Sequence, residues 1–441
     1  MSLKRGLRAV RMNLLALRAK QKAASLGARL APGKLRVPED GRVRDQQFLL
    51  KQARELGPVF KVWLPHKYTT CIVGHDLARR FLSENESKIR SGTTDLSPLF
   101  PHGFLRGLEG DVHRKYRRQV LDAFNETPIE EHEDAIRAIM RDGLADLAVA
   151  RQPVSNADIR KTLKSISTAV FMRLILGADR KTERFDELVA AYDAYAPNGS
   201  FIVARKHHKP AFDAIRELVD KTIEDITEDP DAPSNLLRHL IRSDTVDDTT
   251  LGNLIHMLEV ARFDVLGLWT WIFKHLGDYP QAVEFARSGQ MGENGGYSAL
   301  QAIPRESLRL EQSELVLRVA TEDIVFDGYF IPKRSHIRIC VWEAHHDPMK
   351  FPDPFEHKCQ RFMTSKVPAN LYSPFGLDKH RCLGADWSYR LSELLVEELT
   401  SQYDCSVSDD GTPTMGRFHF EPSRDVSMEI RARAFDSDAG L

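Results

Sequence analysis

The chain has 441 residues, 42% hydrophobic and 28% charged, ample for a large buried core and ordinary for a globular protein. A formal net charge of -1 gives no overall field with which to gather nucleic acid. The five cysteines, Cys71, Cys340, Cys359, Cys382 and Cys405, fit neither a disulfide framework nor a zinc site and point to a reducing, cytoplasmic setting. No apolar run approaches the roughly 18 residues that a membrane span needs.

Residues 1–38 carry ten Lys or Arg and no acid, and Leu3, Leu7, Val10, Leu14 and Leu17 recur at helical spacing. This basic amphipathic extension reads as a solvated tail, as an arm for a membrane surface or another protein, or as an Arg-rich transit segment. No Pro/Gly/Ser linker, repeat or low-complexity block divides the rest of the chain, so residues 39–441 read as a single domain. Residues 59–64 and 69–73, around Pro65-His66-Lys67, predict a hairpin, and a helix starts near Asp76. Residues 87–110, with Gly92, Pro98, Pro101, Gly103 and Gly107, predict a loop of a length that is usually functional. Beyond it, His113 and Arg117 stand four apart on one helical face, which suits two donors aimed at one carboxylate pair or a basic surface.

Helical patterns fill 128–149, 157–177, 181–194 and 208–228. A helical pattern of nearly thirty residues then runs from 249 to 278 and stops before Pro280. His256, Glu259 and Arg262 form a polar line on it that is unexpected if buried. Glu306 and Arg309, just after Pro304, share a helical face and can pair. Residues 321–338 predict short strands joined at Asp327-Gly328, and the tail from Asp409 is turn-rich with strand character.

The stretch Phe375-Gly376-Leu377-Asp378-Lys379-His380-Arg381-Cys382-Leu383-Gly384 sets one cysteine in a glycine-flanked loop just before a long amphipathic segment, residues 385–398. Backbone N–H groups and the helix dipole favour negative charge there, which makes Cys382 a candidate thiolate ligand. His380, two residues upstream, is placed to bond an anionic group beside it. The stretch resembles the haem-binding loop of the cytochrome P-450 superfamily. That loop has Phe, a small residue, Gly or Asp three after the Phe, a basic residue five after, Cys seven after and Gly nine after. Phe375, Gly376, Asp378, His380, Cys382 and Gly384 meet each position.

The resemblance covers roughly residues 40–430. It implies a mainly α fold with a small β-rich lobe, the triangular prism of that family, and heme b (iron protoporphyrin IX) as cofactor. It implies Cys382 as the axial ligand, with His113, Arg117, Arg318 and His380 as propionate partners. Glu306, Arg309 and Arg361, the last after Phe351-Pro352-Asp353-Pro354, would form a buried ion network that locks the scaffold. Residues 87–110 would help set selectivity. The segment between Pro197-Asn198-Gly199 and His207-His208-Lys209-Pro210 would be the mobile lid. The implied activity is oxidation of a small organic molecule. Electrons would come from a separate ferredoxin- or flavodoxin-type donor, docked on a basic patch that includes Lys379 and Arg381.

The chain departs from the family pattern on the long central helix. Monooxygenases of this family usually carry Ala or Gly, Gly, any residue, Asp or Glu, then Thr; here the segment is Ala261-Arg262-Phe263-Asp264-Val265. Asp264 keeps the acid, but Val265 cannot donate or accept the hydrogen bond that a threonine hydroxyl supplies in proton delivery. Arg262, Asp264 and Val265 are the candidate distal residues. Arg262 either pairs with Glu259 or Asp264, or faces the pocket and holds an anionic substrate whose carboxylate supplies the missing acid–base function. Four readings stay open at this point: a monooxygenase, a peroxide-dependent peroxygenase, a redox-neutral haem isomerase or dehydratase, and a non-catalytic haem-binding interaction subunit.

Overall fold

The computed structural model describes residues 16–34, 45–63, 68–92, 95–100, 103–197, 203–228, 234–311, 316–416 and 419–433. Residues 1–15, which carry most of the expected apolar stripe, and residues 198–202, part of the expected lid, lie outside them. The chain divides into two compact units. The first is drawn from Met1–Thr94, Ser313–Phe355 and Pro368–Arg381, the second from Asp95–Gln312, Glu356–Val367 and Cys382–Leu441.

The first unit is built on a five-stranded sheet in the order Val59–Trp63, Tyr68–Val73, His336–Cys340, Val316–Ala320, Ile89–Ser91. The first two strands are antiparallel, with Val59 opposite Ile72 and Trp63 opposite Tyr68, and only the pairing of Tyr68–Val73 with His336–Cys340 is parallel. Ile89–Ser91 is the edge strand, so the stretch expected as pure loop contributes to the sheet. Ile72, Phe81, Ile324, Phe326, Ile331, Ile337 and Ile339 close the core, with Phe81 edge-on to Phe326 at 5.0 Å. At Asp327-Gly328 both residues take positive φ, 53° and 75°. That is the twist a two-residue hairpin turn requires, and it joins Ile324–Phe326 to Tyr329–Ile331.

Part of the basic N-terminal segment is built into this unit. Residues 16–25 are helical, and Ala19 and Ala23 pack on Phe330. Arg29–Leu30 then pairs in parallel with Tyr329 and Phe330, and the Arg29 guanidinium lies 4.9 Å over the Tyr329 ring.

The second unit is mainly helical. Its axis is the helix Asp248–Asp278, started by Asp247, whose side chain accepts the Thr250 N–H at 2.7 Å. Asn156–Phe171, Ala299–Leu310 and Ala385–Gln402 pack on this central helix. Trp269 on it donates through Nε1–H to the Ser392 hydroxyl at 3.1 Å. Polar caps set the other starts: Ser155 before Asn156–Phe171, Thr182 before Glu183–Tyr195, and a reciprocal Ser298–Gln301 pair before Ala299–Leu310. The tail forms strands, Tyr403–Asp409 and Ser427–Ala432, paired antiparallel. Among the described residues no helix is long and apolar enough to cross a membrane.

Candidate functional site

In the second unit, Cys382 stands three residues before the helix Ala385–Gln402, whose N-cap is Gly384. Its side chain is exposed, whereas Cys71, Cys340 and Cys359 are buried. Burial pushes the thiols of Cys359 and Cys405 up to about 12, which keeps them protonated. Cys382 instead has the open, helix-N-terminal setting that favours a thiolate. Phe124 packs on Trp387, ring centroids 4.4 Å apart, and so fixes the first turn of this helix against Gly110–Asn125. On that second helix His113 is buried and Arg117 half-buried, and their spacing places them on one face.

In the first unit the loop that leads to Arg381 is organised by Asp378. Arg318 on the sheet donates to Asp378 Oδ2, the His380 N–H donates to Oδ1 at 3.0 Å, and the Arg381 N–H donates to the Asp378 carbonyl at 2.9 Å. Burial raises the carboxyl's affinity for its proton, but the Arg318 guanidinium outweighs this and holds Asp378 below the usual carboxylate range. Gly376, at φ 98°, makes the turn after Phe375 in the left-handed region that favours glycine. Arg381 is exposed, and Lys379 pairs with Glu86 at 3.0 Å. Asp378 as the organiser was not legible from the sequence, although its position in the ten-residue pattern marked it.

The second unit brings Glu306, Arg309 and Arg361 together. Arg309 donates through Nε to Glu306 Oε2 at 2.7 Å and through a terminal nitrogen to Oε1 at 2.8 Å. Arg361 Nε and the Lys358 N–H reach the same Oε1 at 3.2 and 2.9 Å. Glu306 and Arg309 are fully buried. Burial alone would raise the Glu306 carboxyl; Arg309 reverses that and holds it low and charged. His357, next to Lys358, lies 5.0 Å from His275 of the central helix, and His275 Nδ1 is 2.9 Å from the Ser307 hydroxyl.

The distal candidates do not share a face. Asp264 is half-buried and Val265 is buried, while the Arg262 side chain points about 160° away from Asp264 around the helix. Arg262 is fully buried and its guanidinium is used up by protein groups. It donates through Nε to Glu259 Oε2 at 2.9 Å, through one terminal nitrogen to Asp193 Oδ1 at 3.1 Å and through the other to the Tyr192 carbonyl at 3.0 Å. Its faces lie 4.8 Å from the Phe263 ring and 5.5 Å from the Tyr192 ring. Of the two readings of Arg262, the structure shows the pairing with Glu259, and the alternative hold on an anionic substrate is corrected. The arginine clamps the helix Glu183–Tyr195 to the central helix, and its partner Asp193 lies on a different helix, where sequence spacing gave no sign of it.

This clamp predicts a stability effect. Burial raises the Glu259 carboxyl to about 7, against the pull of Arg262, so removing the arginine leaves a buried acid with no hydrogen-bonded cation. Arg262→Ala is expected to lower unfolding stability by about 3–5 kcal/mol in urea titrations. Joint replacement Glu259→Leu with Arg262→Met should recover most of it. A double variant as unstable as the single one would contradict the clamp.

Buried histidines predict acid lability. Burial, assisted by Arg79 at His75 and by Arg106 at His256, pushes both imidazoles down to about 4 from an ordinary 6.5. Burial does the same to His357, down to about 4, even with Glu306 opposing it. Between pH 6.5 and 4 the unfolded chain binds protons that the folded chain refuses, so stability present above 6.5 is lost as pH falls through that window. Burial raises the carboxyls of Glu259, Asp278 and Glu393, which work in the opposite direction, but it also lowers His132, His208 and His275, so six histidines stand against three acids. Urea midpoints should therefore fall between pH 6.5 and 4; a flat or rising profile would contradict these assignments.

Comparison with known proteins agrees with this architecture. The family model described as Cytochrome P450 matches residues 41–258 and 281–420, leaving out 259–280, the part of the central helix that carries Arg262 and Val265. Abscisic acid 8'-hydroxylase 1 of Oryza sativa subsp. japonica is 24% identical over 88% of this chain and 87% of its own length. Putative cytochrome P450 138 of Mycobacterium tuberculosis is 24% identical over 70% of this chain and 74% of its own. The solved structure of a retinoic-acid-bound cyanobacterial P450, CYP120A1, superposes with a TM-score of 0.69 at 20% identity, covering 92% of this chain and all of that one, and shows a shared fold. With most of its length inside the two matched segments, this chain belongs to the cytochrome P450 family, whose members are generally haem-thiolate monooxygenases.

Proposed function

We propose that this protein oxidises a small organic molecule using heme b bound through the Cys382 thiolate. The donor set fits that group. In the second unit an exposed thiol stands just before a helix N-terminus, and His113 and Arg117 share a helical face from which they can donate hydrogen bonds to propionates; Arg318 and His380 of the first unit are propionate partners only by the family resemblance. Heme b, when bound, supplies dioxygen activation and insertion of one oxygen atom, and a thiolate ligand favours O–O cleavage.

The protein's own residues supply position and protons. Asp378 holds Arg318 and the His380 backbone, and so orients the donors of the loop. Glu306, Arg309 and Arg361 fix Lys358 and the segment around it to the helix Ala299–Leu310. On the central helix Asp264 keeps a half-buried carboxylate able to move a proton, whereas Val265 has no hydroxyl with which to relay it. Proton delivery then runs through Asp264 and ordered water. A separate ferredoxin- or flavodoxin-type protein supplies electrons, and exposed Arg381 is a contact of the sign such acidic donors require.

The single observation that carries this reading is the exposed Cys382 in its glycine-flanked loop at the start of Ala385–Gln402. Val265 favours one second reading, a peroxide-dependent peroxygenase, which needs no dioxygen-splitting proton relay. Its carboxylate-assisted form loses the anchor expected for it, because Arg262 is committed to Glu259 and Asp193. Turnover with donor proteins, with peroxide alone, and with neither separates these routes. Product formed only with donor proteins and dioxygen supports the monooxygenase; product with peroxide alone, at equal or greater rate, supports the peroxygenase; product with neither sinks both.

A further inference from the structure

The central helix is enclosed along most of its surface, but His256, Met257, Val260, Ala261, Asp264 and Gly267 keep partial accessibility. Their spacing puts them on one stripe, away from Arg262 and Glu259. Three of the six offer only apolar surface, and two, His256 and Asp264, carry polar groups.

His256 stands at the N-terminal end of the stripe in an aromatic collar. Its ring lies edge-on to Phe100 at 5.9 Å and to Phe104 at 6.1 Å, and Phe100 lies edge-on to Phe212 at 5.4 Å. The collar is held in place by the backbone. A Cβ at Gly252 would come within 3.0 Å of the Phe100 ring, so only glycine lets that ring reach the helix unhindered. The Leu105 N–H donates to Asn253 Oδ1 at 2.7 Å and fixes the turn that carries Phe104. Within the collar, His256 Nδ1 is buried and meets no hydrogen-bond partner among the described residues. Burial, with Arg106 nearby in the Leu105–Gly107 turn, keeps the imidazole neutral at physiological pH.

The ring as a whole keeps partial accessibility, so a ligand oxygen meets its open edge rather than the sealed Nδ1, and a ligand able to hydrogen-bond a half-buried imidazole is selected over one that is not. A neutral imidazole offers that bond without offering charge. The apolar surface of Met257, Val260 and Ala261 continues from it along the helix. We propose that His256 determines specificity by hydrogen-bonding the hydroxyl or carbonyl oxygen of an uncharged, otherwise apolar substrate whose body lies along Met257, Val260 and Ala261. This rests on the P450 reading and adds to it a substrate class and a recognition residue.

The test uses the full-length, haem-loaded protein and matched ligand sets: menthol, menthone and p-menthane; lauryl alcohol, lauric acid and dodecane. Binding is followed by the ligand-induced shift of the Soret band. The unaltered protein is expected to bind an alcohol or ketone roughly tenfold tighter than its hydrocarbon, the size of one hydrogen bond. His256→Phe should remove that preference while hydrocarbon affinity stays within about twofold, because the collar keeps its aromatic character. His256→Gln, which retains a donor and an acceptor, should keep part of the preference and guards against a Phe variant that fails to fold. No preference in the unaltered protein, a preference that survives in His256→Phe, or tighter binding of lauric acid than of lauryl alcohol would overturn the assignment; the last would point to Arg106. Protein that takes up no haem sinks the haem-thiolate reading instead, and this is recorded before any ligand is added.

Discussion

Glu306→Ala is expected to destabilise the protein by about 3–5 kcal/mol and to abolish stable haem uptake, because it strips the anion from a fully buried ion network. Glu306 receives four hydrogen bonds, two from Arg309, one from Arg361 and one from the Lys358 backbone. Removing the carboxylate leaves Arg309, which has no solvent exposure, as a buried cation. It also leaves the Lys358 N–H without its acceptor, and unfastens the segment that carries Lys358 and Arg361 from the helix Ala299–Leu310. Such a loss is a large share of the roughly 5–15 kcal/mol by which domains are stable. Glu306→Gln should fall between, since an amide oxygen can still accept from Lys358 but offers no charge to two arginines. Urea titration of both variants, with haem content measured on the same samples, checks the ordering. A Glu306→Ala protein with unchanged midpoint and full haem content would contradict a structural role for the network.

The second large effect is chemical rather than structural. Cys382→Ala is expected to leave the unfolding stability of the haem-free protein within about 0.5 kcal/mol of the haem-free parent, because the side chain is exposed and fills no core. The same change should remove the long-wavelength Soret band of the reduced carbonyl complex altogether, since no other cysteine has an exposed thiol at a helix start. Cys359→Ala is the matched control. Cys359 is buried, so its loss should lower stability measurably and leave the band untouched. If Cys382→Ala kept the band, or Cys359→Ala lost it, the ligand would have been assigned to the wrong sulfur.

Local chemistry was the part of this molecule most legible in its sequence. Asp327-Gly328 takes the two positive φ angles that its residue types favour. The helix Asp248–Asp278 begins and ends within a residue of where periodicity and Pro280 place it. Glu306 and Arg309 meet because a spacing of three on a helix makes them neighbours. What the sequence withheld depends on partners far along the chain. Arg29–Leu30 becomes a strand only because Tyr329 and Phe330 are there to pair with it, three hundred positions away. For Arg262 the sequence offered both a pairing with Glu259 or Asp264 and a place on the substrate side; Asp193 and Tyr192, on another helix, join Glu259 in deciding where it points.

That same stretch, 259–280, is where the family model finds no match, so the departure in sequence and the added clamp coincide. Replacing a small residue by a buried arginine requires anions to meet it. Glu259 and Asp193 are those anions, and neither belongs to the motif by which the helix is recognised. His256 shows the complementary limit. Its place in a polar line was visible in the sequence, but its aromatic collar required Phe100, Phe104 and Phe212 to be brought to one end of the helix by the fold.

The proposed chemistry rests on a bond between iron and the Cys382 sulfur. Iron-edge X-ray absorption of the purified, haem-loaded protein tests it most directly. The predicted result is one sulfur scatterer in the iron's first shell, present in the parent and in Cys359→Ala and missing in Cys382→Ala. A first shell of nitrogen alone in the parent protein would contradict it.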